Sequence, residues 1–381
     1  MKFPEKLAQK IANKKHENAL RQLVVYEGMV DFSSNDYLGF SKVKHIYENA
    51  HQLLISETRS LNGATGSRLL SGNSLLYDTV EALLGEEHQG TALIFNSGYS
   101  ANLGFFATVP QRNDVVLYDE YAHASIRDGI KLSSAKAYRF KHNDVQNLDQ
   151  QLRKYRAHLP PSATIFVVTE SVFSMDGDMA DLHKIQQLCE QHTAYLVIDE
   201  AHAIGVFGKG LVHELGLQNK VFATIITFGK ALGAHGAAIV SSEELVQYLI
   251  NFSRPFIYST GMSPHTLATI KVAYEYLFTE QKAMQEQKAL LHNISRFRSG
   301  IKAYGLEAYF IESTSAIQSC VIPGNSAVKA IAKQLQKGGY DVRAILSPTV
   351  TSGNERLRFC IHSYNTAAQI NDVLRLLSTF V

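Results

Sequence analysis

The chain reads as an α/β protein, a mainly parallel sheet with helices on both faces, followed by a smaller α+β domain. Three observations carry that expectation. Six short apolar runs, A-L-I-F (92–95), V-V-L-Y (115–118), I-F-V-V-T (165–169), Y-L-V-I (195–198), A-T-I-I-T (223–227) and A-A-I-V (237–240), are separated by longer mixed segments. That rhythm belongs to buried strands joined by amphipathic helices. Between two of them, Leu182, Ile185, Leu188 and Cys189 recur at helical spacing. Beyond residue 299 the alternation gives way to short strands around one helix. At 381 residues and 45% hydrophobic, the chain can bury a large core.

In chain order, residues 1–22 carry Phe3, Leu7, Ile11 and Leu20 among many charges, an amphipathic helix with one sticky face. V-D-F-S-S-N-D-Y-L-G-F (30–40) reads by itself as a surface loop, Asn35 and Tyr37 included. T-G-S-R-L-L-S-G (65–72) is a second small-residue loop, before a helix through Leu76, Val80, Leu83 and Leu84. Residues 271–299 read as one long helix rich in Lys, Gln and Glu. After it come a strand at 316–322, a helix with Ser326 as N-cap and Gly338-Gly339 as stop, strands at 342–346 and 356–361, and a closing helix through Ile370, Val373, Leu374 and Leu377. The organisation expected is an arm and loop over 1–40, a large α/β domain over 41–270 and a small α+β domain over 271–381.

Composition excludes several classes of function. Lys+Arg 37 against Asp+Glu 35 leaves a net charge of +2, too little to attract nucleic acid or an anionic membrane. No apolar stretch approaches the about 18 residues of a membrane span, and the N-terminus has no continuous apolar core. Cys189, Cys320 and Cys360 are odd in number and far apart, so neither a disulfide framework nor a zinc knuckle is expected. A soluble, cytoplasmic protein without a structural metal is the expectation.

In sheets of this kind ligands collect beyond the strands' carboxyl ends, so the residue after each run is informative. The first run is followed by N-S-G-Y-S-A-N (96–102), a turn into a helix whose free N–H groups suit a phosphate, with Gly98 permitting close approach and Tyr99 adding a ring. The next leads to D-E-Y-A-H-A-S, with His123 four residues past Asp119. T-E-S-V-F-S-M-D-G-D follows the third and puts Glu170, Ser171 and Ser174 at the same edge. Asp199 opens D-E-A-H after the fourth, with His202 three residues on. A carboxylate there is costly unless it faces a cation. The fifth run ends in Thr227-Phe228-Gly229-Lys230, amid small residues at Ala231, Gly233, Ala234, Gly236, Ala237 and Ala238 that would leave room for a flat cofactor. A lysine so placed is stable when its amine is neutral or bound covalently as a Schiff base.

A phosphate cradle, a buried carboxylate, an amine and two histidines on one rim are what pyridoxal phosphate requires. The competitors fare worse. D-E-A-H also occurs in helicase-type ATPases, but no G-x-x-x-x-G-K-[ST] loop exists here, and no G-x-G-x-x-G follows an early strand as a dinucleotide enzyme needs. A metal hydrolase built on His123, Asp199 and His202 fits the spacing but leaves Lys230 without a task.

These residues resemble the α-oxoamine synthases, pyridoxal phosphate enzymes of fold type I with a seven-stranded, mainly parallel sheet. The likeness runs over nearly the whole chain. It is carried by F-S-S-N-D-Y-L-G (32–39), T-G-S-R-L-L-S-G (65–72), H-A-S (123–125), T-E-S-V-F-S-M-D-G-D (169–178), D-E-A-H (199–202), T-F-G-K (227–230) and P-T-V-x-x-G-x-x-R-L-R (348–358). I-Y-S-T-G-M-S-P (257–264), S-A-I-Q (315–318) and A-L-R (19–21) are similar to the members that take L-alanine and a pimeloyl thioester. The resemblance implies a homodimer with active sites at the subunit interface. It implies that Lys230 forms the Schiff base, that Gly98 and Tyr99 hold the cofactor phosphate, and that Ser259 or Thr260 reaches it from the other subunit. His123 would stack on the ring, Asp199 would pair with its nitrogen, and Ser174, His202 and Thr227 would complete the shell. Arg358 would anchor the amino-acid carboxylate, and Arg21, Asn35 and Thr349 match positions that contact substrate. Lys230, His123, Asp199 and His202 form the implied catalytic set, and the substrates implied are an amino acid and an acyl-CoA or acyl carrier protein thioester.

The chain also departs from the family pattern. Leu346, Ser347 and Thr351 stand where the family has an arginine and two prolines, the segment between Arg21 and Phe32 is short, and Tyr77 replaces a common histidine. Alternatives within the family are condensation of glycine with acetyl-CoA or the use of another acyl thioester. The non-enzyme alternative is a paralogue that binds the cofactor but is inactive.

Overall fold

The computed structural model of the chain describes residues 2–23, 27–56 and 61–381. Met1, Val24–Tyr26 and Glu57–Ser60 lie outside it, and with them part of the short segment between Arg21 and Phe32. The strands of the described residues are β1 (Val30–Asp31), β2 (Thr91–Phe95), β3 (Val115–Asp119), β4 (Lys136–Phe140), β5 (Ile165–Glu170), β6 (Tyr195–Asp199), β7 (Ala223–Thr227), β8 (Ala237–Ser241), β9 (Ile317–Val321), β10 (Tyr340–Asp341), β11 (Arg343–Ile345) and β12 (Arg356–Cys360). Two compact units divide the chain. One comprises Leu38–Phe173 and Met179–Gln287, the other Met1–Tyr37, Ser174–Asp178 and Lys288–Val381.

The first unit is built on a seven-stranded sheet of order β2-β8-β7-β6-β5-β3-β4. Its pairs are parallel except the two made by β8, which runs against β7 and β2. Because β2 opposes β8 and β8 opposes β7, the carboxyl ends of β2, β3, β5, β6 and β7 share one edge. Alternate residues serve opposite faces. Val116, Val168, Val197, Ile225 and Ile239 pack with Phe105, Ile126 and Leu249 on one side, whereas Val115, Leu117, Val167, Leu196 and Ile198 pack with Leu148, Leu152 and Ile185 on the other. Both faces are covered, which is why these runs are apolar throughout and not alternating.

The second unit holds the antiparallel sheet β11-β12-β9 and the parallel pair β1-β10. Helices Asn325–Lys337 and Ala367–Leu377 bury Val328, Leu335, Ile370, Val373, Leu374 and Leu377. Phe297, Phe310 and Phe359 pack ring to ring, and Phe32 meets Phe359 edge-on. Asp31 then organises the loop after β1. It accepts N–H bonds from Ser33 and Ser34 and hydroxyl bonds from Ser34 and Tyr364. Burial alone would raise its pKa, yet His362 and these donors hold the carboxyl well below the usual range.

Several sequence expectations need correction. β4 has no apolar run because it is an edge strand, exposed at Lys136 and Arg139. The helix expected over 271–299 is two, Pro264–Thr279 and Gln281–Ala303, separated where Glu280 turns extended. The N-cap of Asn325–Lys337 is Gly324, not Ser326. Part of the expected loop at 65–72, Arg68–Gly72, forms one wide helical turn. Tyr37, read as loop surface, is buried, with its hydroxyl donating to Asn35 Oδ1 at 3.2 Å. The first helix, Glu5–His16, buries none of its residues, and Phe3, Leu7 and Ile11 are exposed. No helix of the described residues is long and apolar enough to cross a membrane.

The small residues after Lys230 have a packing task of their own. A Cβ on Gly233, whose φ is +59°, would stand 2.2 Å from Ser41 N and 2.6 Å from the Phe40 carbonyl carbon. One on Gly236, with φ +108°, would meet Met262 Cε at 2.2 Å. These positions admit neighbouring chain segments. Gly233→Ala is therefore expected to lower the unfolding free energy by about 2–4 kcal/mol, through left-handed backbone strain and overlap with main chain that cannot retreat. Urea melts of the two proteins measure it, and equal midpoints would remove this account.

Candidate active site

Strand register sets the first element of the site. β5 and β6 pair so that Glu170 faces Asp199, and Asp199 in turn pairs with Ile225 of β7. Both carboxyl groups are nearly buried, at 3% and 5% exposure. Asp199 acts as acceptor at both oxygens, from the Ala201 main-chain N–H at 2.9 Å on Oδ1 and from Asn102 Nδ2 at 2.7 Å on Oδ2. Glu170 Oε1 accepts the main-chain N–H of His123 at 2.7 Å. Burial first, and then the Asp199 charge, push the Glu170 carboxyl up to about 8, against the opposing pull of Lys230 and the His123 N–H. Lys230, half-buried after β7, is thus electrostatically in contact with Glu170, and its charge also acts on His123. His202 is buried one turn past Asp199.

His123 caps the helix Ala124–Leu132, its Nδ1 accepting from the Ser125 main-chain N–H at 3.3 Å. The same nitrogen lies 2.7 Å from Ser125 Oγ, which in turn receives Asn102 Nδ2 at 3.0 Å. Loss of hydration lowers the His123 pKa. Asp199 opposes that shift, while Lys230 and Arg127 add to it.

The second element is the helix Gly98–Phe106, opened by a capping box in which Ser97 and Ser100 satisfy each other's main-chain N–H groups. The N–H groups of Gly98 and Tyr99 have no acceptor among the described residues. A Cβ on Gly98 would come within 3.1 Å of Thr227 Cγ2, so glycine keeps this helix end close to β7. Tyr99 is exposed and donates to Asp128 Oδ2 at 2.6 Å. Thr260 lies in the same unit, with its carbonyl accepting from Asn96 Nδ2 at 2.8 Å. Ser67 bridges Thr260 from the loop before Arg68, and Ser259 precedes it.

Arg358 belongs to the second unit. It is 8% exposed, and its guanidinium donates to Ser174 O at 2.7 Å, Asn35 Oδ1 at 2.9 Å and Cys360 Sγ at 3.0 Å. None of these partners is a carboxylate. Its strand neighbour Arg356 pairs instead with Asp176. The same segment is stitched further by Ser319 Oγ to Met175 O at 2.6 Å and Ser313 Oγ to Gly177 O at 2.7 Å. Arg21 donates to Thr349 Oγ1 at 3.1 Å at an exposed position.

The structure thus gathers Lys230, Asp199, His123, Thr227, Gly98 and the main chain of Thr260 in one unit. It gathers Arg358, Asn35 and Ser174 in the other, with Arg21 and Thr349 as a separate pair there. Sequence reasoning left Asn102, Ser125 and Glu170 without roles. The available signals were an asparagine on the side of a helix that also carries Ala101 and Phe105, and a serine two residues past a histidine.

The family described as aminotransferase class I and II matches residues 27–377. An 8-amino-7-oxononanoate synthase of Emericella nidulans is 37% identical over 369 residues, 92% of this chain and 89% of that protein. The chain belongs to the α-oxoamine synthase family. Among solved structures it is similar to a serine palmitoyltransferase from S. paucimobilis with a bound PLP–myriocin aldimine, at TM-score 0.87 and 27% identity over 98% of this chain and 96% of that one. It is also similar to the 8-amino-7-oxononanoate synthase from Francisella tularensis, at TM-score 0.75 and 27% identity over 93% and 98%.

As an α-oxoamine synthase the protein is a pyridoxal phosphate enzyme of fold type I that condenses an amino acid with an acyl thioester. The donor set fits that cofactor. Two unclaimed N–H groups at a helix start suit the phosphate, a carboxylate accepting at both oxygens suits a ring N–H, and Lys230 acts electrostatically on Glu170 and His123, the neighbours of that carboxylate.

The elevated Glu170 has a consequence for stability. A carboxyl group whose folded pKa is about 8, against an ordinary value of 4.5, contributes fully below 4.5, and its contribution is lost as pH rises toward 8. Glu170→Gln keeps the acceptor for His123 and removes the ionisation. Its stability relative to the parent is expected to rise between about pH 5 and pH 8 by about 3–4 kcal/mol. Urea melts at the two pH values check this, and a pH-independent difference would contradict the buried-acid assignment.

Proposed function

We propose that the enzyme joins L-alanine to a pimeloyl thioester, giving 8-amino-7-oxononanoate, carbon dioxide and the free thiol. A bond forms between the alanine α-carbon and the thioester carbonyl carbon, while the carbon–sulfur bond and the bond to the alanine carboxylate break. What carries the dicarboxylic acyl group is Arg21. It is an exposed guanidinium whose partner among the described residues is the Thr349 hydroxyl, so it is available to a terminal carboxylate that a pimeloyl chain has and a palmitoyl or acetyl chain lacks. The 37% identity to an 8-amino-7-oxononanoate synthase supports the same reading.

Bound pyridoxal phosphate supplies an aldehyde that exchanges amines and a ring that takes up the electron pair released at the α-carbon. Lys230 holds the cofactor and afterwards holds the α-proton on Nζ. Asp199 holds the ring N–H, and Gly98 and Tyr99 donate to the phosphate, with Thr227, Ser174 and His202 around them. Arg358 anchors the amino-acid carboxylate. A buried guanidinium without an acidic partner among the described residues is a standing site for one. His123 donates toward the thioester carbonyl. A second copy of the chain completes the assembly and brings Ser259 and Thr260. Exposed Leu69, Leu70, Phe252 and Tyr258, and a groove of about 830 Å³ lined by Tyr99, Phe252 and Tyr258, support such a partner surface. Three buried free thiols support a reducing cytoplasm.

The serine palmitoyltransferase likeness favours a second reading, serine with a long acyl thioester. A matrix of alanine, glycine and serine against pimeloyl, palmitoyl and acetyl thioesters, followed by thiol release, separates these readings. Alanine with pimeloyl thioester is expected to have the highest kcat/KM, and another pair in that place would replace the assignment. Arg21→Met is expected to raise KM for the pimeloyl thioester about tenfold and leave acetyl-CoA unchanged. Lys230→Ala is expected to abolish the visible band of lysine-bound cofactor while far-ultraviolet circular dichroism persists. A retained band would move the covalent role to another lysine.

A further inference from the structure

We propose that Asn102 and Ser125 are positioning residues that lock His123 as a neutral imidazole with its proton on Nε2, so that it acts as a hydrogen-bond donor and not as a proton carrier. The inference rests on the proposed role of His123 for its catalytic meaning, but its geometry stands apart from any substrate.

Hydrogen-bond polarity is fixed along one chain of contacts from Asp199 to His123. Asp199 Oδ2 is an acceptor, so the group 2.7 Å away on Asn102 is the amide nitrogen. The reverse amide orientation would set two acceptors face to face. The second hydrogen of that nitrogen goes to Ser125 Oγ at 3.0 Å. Ser125 is fully buried, and with its oxygen receiving Asn102, its one hydroxyl hydrogen is directed to His123 Nδ1 at 2.7 Å. The main-chain N–H of Ser125 points at the same nitrogen from 3.3 Å. Two donors therefore converge on Nδ1, which has no place for a hydrogen of its own, and the ring proton sits on Nε2. Glu170 fixes the other end of the residue by accepting the His123 main-chain N–H.

The charges around the ring agree with a neutral imidazole. Lys230 and Arg127 oppose protonation and Asp199 and Asp128 favour it, and with the loss of hydration the net effect is a lowered pKa. No other residue in the chain of contacts from Asp199 to His123 titrates, since amide and hydroxyl groups stay neutral at working pH. The polarity set at Asp199 therefore passes unchanged to the imidazole.

The test is long-range proton–nitrogen NMR of protein labelled with ¹⁵N in its histidines, with the His123 signals assigned by their loss in His123→Gln. It is run on the holoenzyme and on the cofactor-free protein, so that failure to bind pyridoxal phosphate is seen separately from failure of the tautomer assignment. At pH 7.5 His123 is expected to show an unprotonated Nδ1 and a protonated Nε2 in both. In Asn102→Ala the Ser125 hydroxyl is free to turn, and in Ser125→Ala it is gone. Each is expected to move the tautomer ratio toward Nδ1–H by about fivefold, the equivalent of one ordinary hydrogen bond. A doubly protonated or Nδ1-protonated His123 in the parent protein overturns the proposal without reference to any variant. So does an unchanged ratio in both folded variants, since residues with a merely structural role would leave the tautomer where it was.

Discussion

Two carboxyl groups side by side at the ends of adjacent strands are the constraint around which this site is arranged. The β5–β6 register puts Glu170 opposite Asp199, both removed from water. Two such groups cannot both be charged cheaply. The structure resolves the conflict by dividing the donors. Asp199 receives a main-chain N–H and an amide N–H, whereas Glu170 receives one main-chain N–H and is pushed toward its neutral form. Asp199 is thereby left as an acceptor at both oxygens, and Glu170, held toward its neutral form, supports His123 through its main-chain N–H. Moving either strand by one residue would turn one acid to the opposite face and dissolve the arrangement.

Much of this is legible in the sequence because the large sheet is buried on both faces. Ile165–Glu170 and Ala223–Thr227 are apolar at nearly every position, and a polar residue at the end of such a run, Glu170, Asp199 or Lys230, marks the rim. β4 is silent because an edge strand has no second neighbour to demand apolar side chains. The break at Glu280 is silent too, since helical periodicity continues on both sides of one extended residue. Asn102 could be placed on a buried helix face but not opposite Asp199, because 97 residues separate them and only the folded sheet closes that distance.

The small residues after Lys230 and the S-M-D-G-D stretch show how a motif can mislead about its own purpose. Gly233 reads as space for a cofactor, yet the main chain of Phe40 and Ser41 lies against it. The S-M-D-G-D stretch, from Ser174 on, reads as part of the sheet's rim. A Cβ on Gly177 would stand 2.1 Å from Ile317 O, and Arg358, Ser319, Arg356 and Ser313 each bind the segment that contains it. Ser174–Asp178 is thus a strap of the second unit cut from the middle of the first in sequence. Glu170 ends a strand of one unit and Ser174, four residues later, is held by the other. That is why T-E-S-V-F-S-M-D-G-D is compact in sequence while its residues have separate tasks.

Arg356 and Arg358 lie two residues apart on one strand, so they project to the same face. Both are buried, at 5% and 8% exposure, yet only Arg356 is neutralised by an acid. If stability alone set the composition, the second guanidinium would also face a carboxylate or be replaced by an apolar residue, since an unpaired buried charge is among the costliest groups a fold can carry. Instead, Arg358 is held rigid by a carbonyl, an amide oxygen and a thiol. These partners fix its orientation without neutralising it. In the proposed reaction this charge is the one that meets the amino-acid carboxylate. A small carboxylate would match it in sign, and the neutral donors and acceptors around it would keep the guanidinium in place as that carboxylate binds and leaves.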